Sequence, residues 1–177
     1  MKPSLLLLAG GLMCMSAYAG NSSPAANLHE LMKNVVAPQA QVVWDVGNQA
    51  MDDQGNPDGS KLKPADWAKI AAAAGKVKQA SQTLAQADHV MAAGPGQKIE
   101  GEGTPDAFGA KDVQKILDAE PKVFRAFAQQ LTASMDEVIA AAQKKDATQL
   151  ADVSGRLDQV CEACHVKFWY PNQETPK

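Results

Sequence analysis

The chain has 177 residues, of which 17 are Lys or Arg and 20 are Asp or Glu, giving a formal net charge of −3. This balance argues against a nucleic-acid-binding protein, which normally carries a strongly basic face. Hydrophobic residues make up 45% of the chain but aromatic residues only 5%, and the abundance of alanine favours helices over a β-sandwich.

Residues 1–19 have the parts of a bacterial secretory signal peptide. Lys2 supplies the positive charge, an apolar run begins at Leu5, and positions 17–19 match the A-x-A cleavage pattern. The apolar run is too short to span a bilayer. The sequence therefore predicts a cleaved signal peptide, a periplasmic location, and one mature domain of residues 20–177 without a membrane span.

The first predicted helix spans residues 28–51. Pro38 lies inside it and lacks the N–H that would bond the carbonyl of Asn34, so we expect a kink there. A turn-rich surface loop is expected at residues 52–59. Nine positions of this helix recur at the spacing of one face, and all but Gln39 are apolar: Leu28, Leu31, Met32, Val35, Gln39, Val42, Val43, Val46 and Ala50.

The second predicted helix runs from Pro64, a favourable first-turn residue, to Ala93. His89 is expected on its solvent side. Frequent glycine and proline residues predict a loop at residues 94–110. Large side chains alternate with alanines at core spacing along the helix, namely Ile70, Ala73, Val77, Ala80, Leu84, Ala87 and Met91.

The remaining chain predicts a short helix at residues 111–119 and two long helices. The helix at 121–145 has a buried face of Val123, Phe124, Phe127, Leu131, Met135, Val138 and Ala142. Asp146 can cap the last helix, which ends before Pro171. Its buried side carries Leu150, Val153, Leu157, Cys161, Cys164 and Phe168. No segment has strand periodicity, so we predict an all-α fold, an antiparallel four-helix bundle.

The last helix contains Cys161-Glu162-Ala163-Cys164-His165, which matches C-x-x-C-H, the attachment sequence of c-type haem. On a helix, the two cysteines share a face and can reach both vinyl groups of one porphyrin. His165 points to the same side and can coordinate the iron. The sequence thus predicts one covalent haem c, attached through Cys161 and Cys164, with His165 as the proximal iron ligand.

The same two cysteines have other interpretations. A thioredoxin-like dithiol opens a helix after a strand, whereas Cys161 lies late in a helix. A zinc site needs a fourth ligand, and the sequence has no second C-x-x-C and no H-x-H pair. A structural disulfide between Cys161 and Cys164 stays open, because the predicted compartment is oxidising.

An exported helical bundle with C-x-x-C-H on its last helix resembles the class II cytochromes c, the cytochrome c-prime family. The stretch from Leu31 to Pro38, continuing to Trp44, is similar to a proteobacterial branch with a Met…Pro…Trp first helix. The resemblance covers the mature chain in architecture. It implies redox partner proteins in the periplasm, and it leaves open a homodimer formed through the first two helices.

The resemblance makes the sixth iron ligand decisive for function. Low-spin members place a methionine there and transfer electrons, whereas high-spin members leave the position open and bind nitric oxide or carbon monoxide. Met32 lies where the family's distal residue comes from, and its thioether suits haem iron. Electron transfer with Met32 as ligand is therefore expected. His29 is the rival ligand, and Met32 as a core filler beside an open iron site is the alternative.

Two departures from the high-spin pattern weaken the gas-binding alternative. High-spin members usually carry a basic residue shortly after the haem histidine, and Trp169 stands there instead. They also tend to carry an arginine near the start of the first helix, which this chain lacks. Trp169 and Tyr170 are expected at the haem edge or at the end of the bundle. No motif of a hydrolase or nucleotide-dependent enzyme is present, so we assign no catalytic residue.

Overall fold

The computed structural model describes residues 25–170, which fold mostly into helices. The first helix comprises Leu28–Leu31 (α1), a π-helical segment at Met32–Val36, and Ala37–Asn48 (α2). After a 3₁₀ turn at Gly59–Lys61 follow α3 (Pro64–Gln86), α4 (Ala110–Ala119), α5 (Pro121–Lys144) and α6 (Ala147–Phe168). The α2 helix packs against α3 and α6, and α5 packs against the same two helices. The predicted all-α class is confirmed.

Some expectations concern parts of the chain outside residues 25–170. The signal peptide, its cleavage site and the role of Pro171 belong to these parts and stay predictions. Within the described residues, no helix is both long enough and apolar enough to cross a membrane.

A wide turn of the first helix stands directly before Pro38, where the sequence predicts a kink. The N–H of Ala37 donates to the carbonyl of Met32, five residues back, as in a π-helix. Pro38 has no N–H with which to continue the regular α-helical ladder, and the wider turn accommodates this gap. The additional residue in the turn also shifts the buried face, so that Val36 is buried and Val35 only half-buried.

The predicted continuation of α3 to Ala93 is wrong. Ala87 already has extended backbone, and its carbonyl accepts a hydrogen bond from Nη2 of Arg125 at 3.3 Å. Beyond it, Val90–Met91 (β2) pairs in parallel with Ala26–Asn27 (β1). The expectation that no strand is present is therefore also wrong at this one short pair, which joins residues distant in sequence.

The predicted buried faces of α3, α5 and α6 are confirmed with few exceptions. Ile70 and Val77 are fully buried within one chain, so the heptad positions of α3 form internal core. Val123 is 39% exposed, because the adjacent Phe124 takes the core position in the first turn of α5. Asp146 caps α6 as predicted, with its Oδ1 accepting from the Gln149 N–H at 2.9 Å.

The buried apolar residues form two clusters. The central cluster lies among the long helices and includes Val43, Ile70, Val77, Met135, Val138 and Leu157. The end cluster includes Leu84, Val113, Leu117, Phe124, Ala128 and Phe168. Leu31 and Met32 of the first helix pack against both clusters. The start of the first helix therefore connects the two parts of the core.

Candidate functional site

The C-x-x-C-H residues lie in the last turns of α6. Cys161 and Cys164 are three positions apart on one helical face, and both are half-buried free thiols. Cys161 packs against the central cluster, whereas Cys164 packs against the end cluster. The helix thus presents one thiol to each part of the hydrophobic core.

Burial controls the ionisation of both thiols. It raises the pKa of Cys161 to about 11 and the pKa of Cys164 to about 12. The carboxylate of Asp158 adds to the effect at Cys161. Both side chains are therefore neutral thiols at pH 7. A thioredoxin-like dithiol needs a lowered thiol pKa to form its reactive thiolate, so the surroundings of these cysteines do not favour that alternative.

The His165 imidazole lies against two aromatic rings at the end of α6. The Trp169 ring is nearly perpendicular to it, with centroids 5.2 Å apart and an interplanar angle of 83°. The Tyr170 centroid lies at 5.7 Å. Burial lowers the pKa of His165, and the charge of Glu162 partly opposes this effect. Burial thus favours the neutral imidazole, which is the form that binds metal ions.

Met32 is the first residue of the π-helical segment. It is half-buried, and it packs against both clusters, the same two that Cys161 and Cys164 contact. Met32 and the predicted attachment residues therefore border the same two clusters. The identity of the sixth ligand itself stays a prediction.

The rival ligand His29 lies one turn ahead of Met32 and is also half-buried. Its backbone N–H donates to the carbonyl of Ala92 at 3.0 Å, so the segment that follows β2 fixes this turn of the first helix. His89 is exposed, as predicted, although it precedes β2 instead of lying on a helix.

Several apolar side chains at the two clusters contacted by the motif are only partly covered. The half-buried residues that pack against the two clusters include Leu28, Leu31, Val35, Phe127 and Val160. Phe168 is buried and meets Phe124 and Phe127 edge to face, with centroids 5.5 and 6.2 Å apart. Half-covered apolar side chains, two neutral thiols and an imidazole fit the apolar faces and the ligand chemistry of a covalent haem.

The sequence does not predict that the loop between β2 and α4 is bonded to the end of α6. Nε1 of Trp169 donates to the carbonyl of Glu100 at 3.1 Å. The N–H of Phe108 donates to the carbonyl of Trp169 at 2.8 Å. The only sequence signal for this connection is the pair of aromatic residues that directly follows the motif helix.

Two surface grooves are lined by residues other than Cys161, Cys164 and His165. One has a volume of about 490 Å³, lies between α2 and α6, and is lined by residues that include Trp44, Gly47, Ser154 and Asp158. The other, of about 550 Å³, lies within residues 102–112. Among the described residues, no three His, Cys, Asp or Glu side chains converge as metal ligands. That finding concerns sites built from side chains alone, whereas a porphyrin brings its own nitrogen ligands.

The chain matches none of the protein-family models, curated proteins and solved structures with which it was compared. The resemblance to the class II cytochromes c therefore depends on the C-x-x-C-H motif and on the Met…Pro…Trp pattern of the first helix.

Proposed function

We propose that this chain is a periplasmic mono-haem c-type cytochrome that transfers electrons, built as an antiparallel four-helix bundle of the cytochrome c-prime type. One observation carries the proposal: Met32 packs against both hydrophobic clusters, and the motif on α6 contacts the same clusters, one through Cys161 and the other through Cys164. The bundle is supported by the packing of the long helices, since each of α2, α3, α5 and α6 contacts two of the others.

Cys161 and Cys164 serve as attachment groups in this proposal. Each sulfur adds across one vinyl group, so that an S–C bond forms and the thiol hydrogen ends on the neighbouring vinyl carbon. Nothing leaves in this addition, and no oxidant is consumed. Two thioether bonds retain the cofactor on a protein that is exposed to dilution outside the cytoplasm.

The remaining residues set the properties of the iron. When bound, the haem supplies a one-electron Fe(III)/Fe(II) couple. In this proposal, His165 would bind the iron from α6 and the Met32 thioether would bind it from the first helix, a ligand pair that would raise the reduction potential. Half-buried Leu28 and Leu31 add apolar surface at the start of the same helix, and an apolar environment around the haem would tune the potential.

A redox partner needs access to one edge of the cofactor through a small, transient interface. Ala163, between the two attachment residues, is exposed, and Glu162 is half-buried. By helical spacing, both residues lie on the side of α6 opposite the two cysteines, so the proposed redox partner in the periplasm would reach the haem from another side. No catalytic residue is needed for this function, because the protein only exchanges electrons.

The first experiment measures the mass of the full chain after export in a bacterium that matures c-type cytochromes. We expect one chain to carry the additional mass of one haem. The double variant Cys161→Ala/Cys164→Ala is the control and should lack it. A wild-type chain without the additional mass would contradict the proposal.

The second experiment tests the iron ligand by visible spectroscopy. Met32→Ala should convert a low-spin spectrum to a high-spin one and abolish the weak sulfur-to-iron band, while the haem stays attached. Met51→Ala is the matched control, because Met51 is also half-buried but follows the other end of the first helix. It should leave the spectrum unchanged.

Two other outcomes distinguish the alternatives. If Met32→Ala leaves the spectrum unchanged and His29→Ala alters it, the iron has two histidine ligands. If the wild-type protein is already high-spin and binds carbon monoxide at once, the gas-binding alternative replaces electron transfer.

A further inference from the structure

The chain folds back over His165 directly after α6 ends. The N–H groups of Trp169 and Tyr170 both donate to the carbonyl of His165, at 2.7 and 2.8 Å. This turn places both aromatic rings against the imidazole. The two rings also stack on each other, with centroids 5.0 Å apart and an interplanar angle of 24°. Two neighbouring residues thus confine the imidazole of His165.

The loop between β2 and α4 in turn fixes Trp169. Glu100 accepts a hydrogen bond from the indole Nε1 at 3.1 Å. Phe108 donates its N–H to the Trp169 carbonyl at 2.8 Å. The loop therefore holds Trp169 at two places: Glu100 bonds its side chain, and Phe108 bonds its main chain.

The carboxylate of Glu102 holds two parts of this loop together. Glu102 accepts from the N–H of Ile99 at 3.3 Å and from the N–H of Ala110 at 3.1 Å. Nearby, Nζ of Lys167 pairs with Oε1 of Glu120 at 2.6 Å, which joins the end of α6 to the junction of α4 and α5. The loop is thus anchored on both sides of its contacts with Trp169.

We propose that Trp169 is a positioning residue: held by the loop through Glu100 and Phe108, it fixes the orientation of the His165 imidazole toward the haem iron. The inference rests on the proposed function, in which His165 is an iron ligand. An axial imidazole can rotate about its bond to iron, and groups around a metal ligand that orient it tune the metal. The Trp169 ring, nearly perpendicular to the imidazole, restricts this rotation.

The test compares three tryptophan variants of the haem-containing protein. Trp169→Phe keeps an aromatic ring but removes the indole donor, and Trp169→Ala removes both. Trp44→Phe is the matched control, because the Trp44 indole donates to the carbonyl of Ser154 at 3.5 Å, away from the motif. The measured quantities are the electron paramagnetic resonance g values of the ferric protein and its reduction potential.

We expect the g values and the potential to shift in Trp169→Ala, to shift less in Trp169→Phe, and to stay at wild-type values in Trp44→Phe. Wild-type values in both Trp169 variants would overturn the inference. If Trp169→Ala does not accumulate, Trp169→Phe decides alone, because the proposal requires the bond to Glu100. Unchanged values in that variant would then overturn it.

Failure of the proposed function gives a different result. A wild-type chain that lacks the mass of a haem contradicts the function but leaves the packing of Trp169 on His165 in place. In that case, the NMR shifts of the His165 ring protons decide. They should change in Trp169→Phe and stay constant in Trp44→Phe, and equal changes in both variants would contradict the positioning role.

Discussion

Ser81 is a polar side chain fully buried between α3 and α5. Its hydroxyl oxygen lies 2.9 Å from the carbonyl oxygen of Lys78 and 2.7 Å from Oγ1 of Thr132, so its single proton has two acceptors within reach. A buried hydroxyl must find such partners, because an unpaired one costs free energy. The pair therefore links two long helices at a point where the core is otherwise apolar.

Ser81→Ala should lower the free energy of unfolding by about 1 kcal/mol, the typical net contribution of a hydrogen bond between neutral groups. The loss is limited because, in this variant, the Thr132 hydroxyl still has the carbonyl of Ala128 as an acceptor at 3.0 Å. Denaturation with urea measures it. Ser134→Ala is the control, since that hydroxyl bonds only to Gln130 of its own helix. Equal losses in both variants would contradict a cross-helix role.

The residues of the candidate site differ in how well the sequence predicts them. Cys161, Cys164 and His165 form a contiguous motif, so their common location on α6 follows from helical spacing alone. The packing of Trp169 on His165 depends on a turn after the helix and on hydrogen bonds to a distant loop. Contacts of that kind leave no periodic pattern, so the sequence could not assign them.

At the level of elements, local signals predict helix boundaries well. Pro121 begins α5 and Asp146 caps α6, as expected from preferences that concern only the neighbouring turn. The end of α3 is different. Its apolar repeat extends to Met91, but pairing of β2 with β1 takes that segment out of the helix. A tertiary partner thus overrides the local pattern.

The π-helical segment gives a prediction about Pro38. Pro38→Ala supplies the missing N–H, so a regular α-helical turn should replace the wider one and turn Met32 relative to α2. In the haem-containing protein, we expect part of the low-spin, methionine-bound spectrum to be lost. Pro64→Ala is the matched control, because Pro64 occupies the first turn of α3, where proline is favourable. A wild-type spectrum in Pro38→Ala would show that Pro38 does not cause the π-helical geometry.

At the scale of the whole molecule, the abundance of alanine has a structural role. Buried alanines on α3 and α5 leave little side-chain volume between these helices, among them Ala73, Ala74, Ala80, Ala141 and Ala142. Small residues at such positions let helices approach closely. Few aromatic residues are then needed in the central cluster, while the end cluster contains Phe124 and Phe168.

Several apolar side chains at the two clusters are only half-buried, and a bound haem would cover part of them. We therefore expect the cofactor to stabilise the fold. The double variant Cys161→Ala/Cys164→Ala, exported without haem, should melt at a lower temperature than the wild type. A domain of this size loses about 2–4 °C for each kcal/mol of stability, so several kcal/mol give roughly 10 °C. Calorimetry measures the difference. Met32→Ala keeps its haem and should melt closer to the wild type, and equal melting of all three proteins would contradict the prediction.

The placement of one thiol on each hydrophobic cluster has a mechanical consequence. Without a cofactor, the central and end clusters are connected by α3, α5 and α6, which contribute residues to both, and by the packing of Leu31 and Met32. A porphyrin bonded to both Cys161 and Cys164 would bridge the same boundary with covalent bonds. The rigid porphyrin would couple the two clusters, so that they would unfold together and not one after the other.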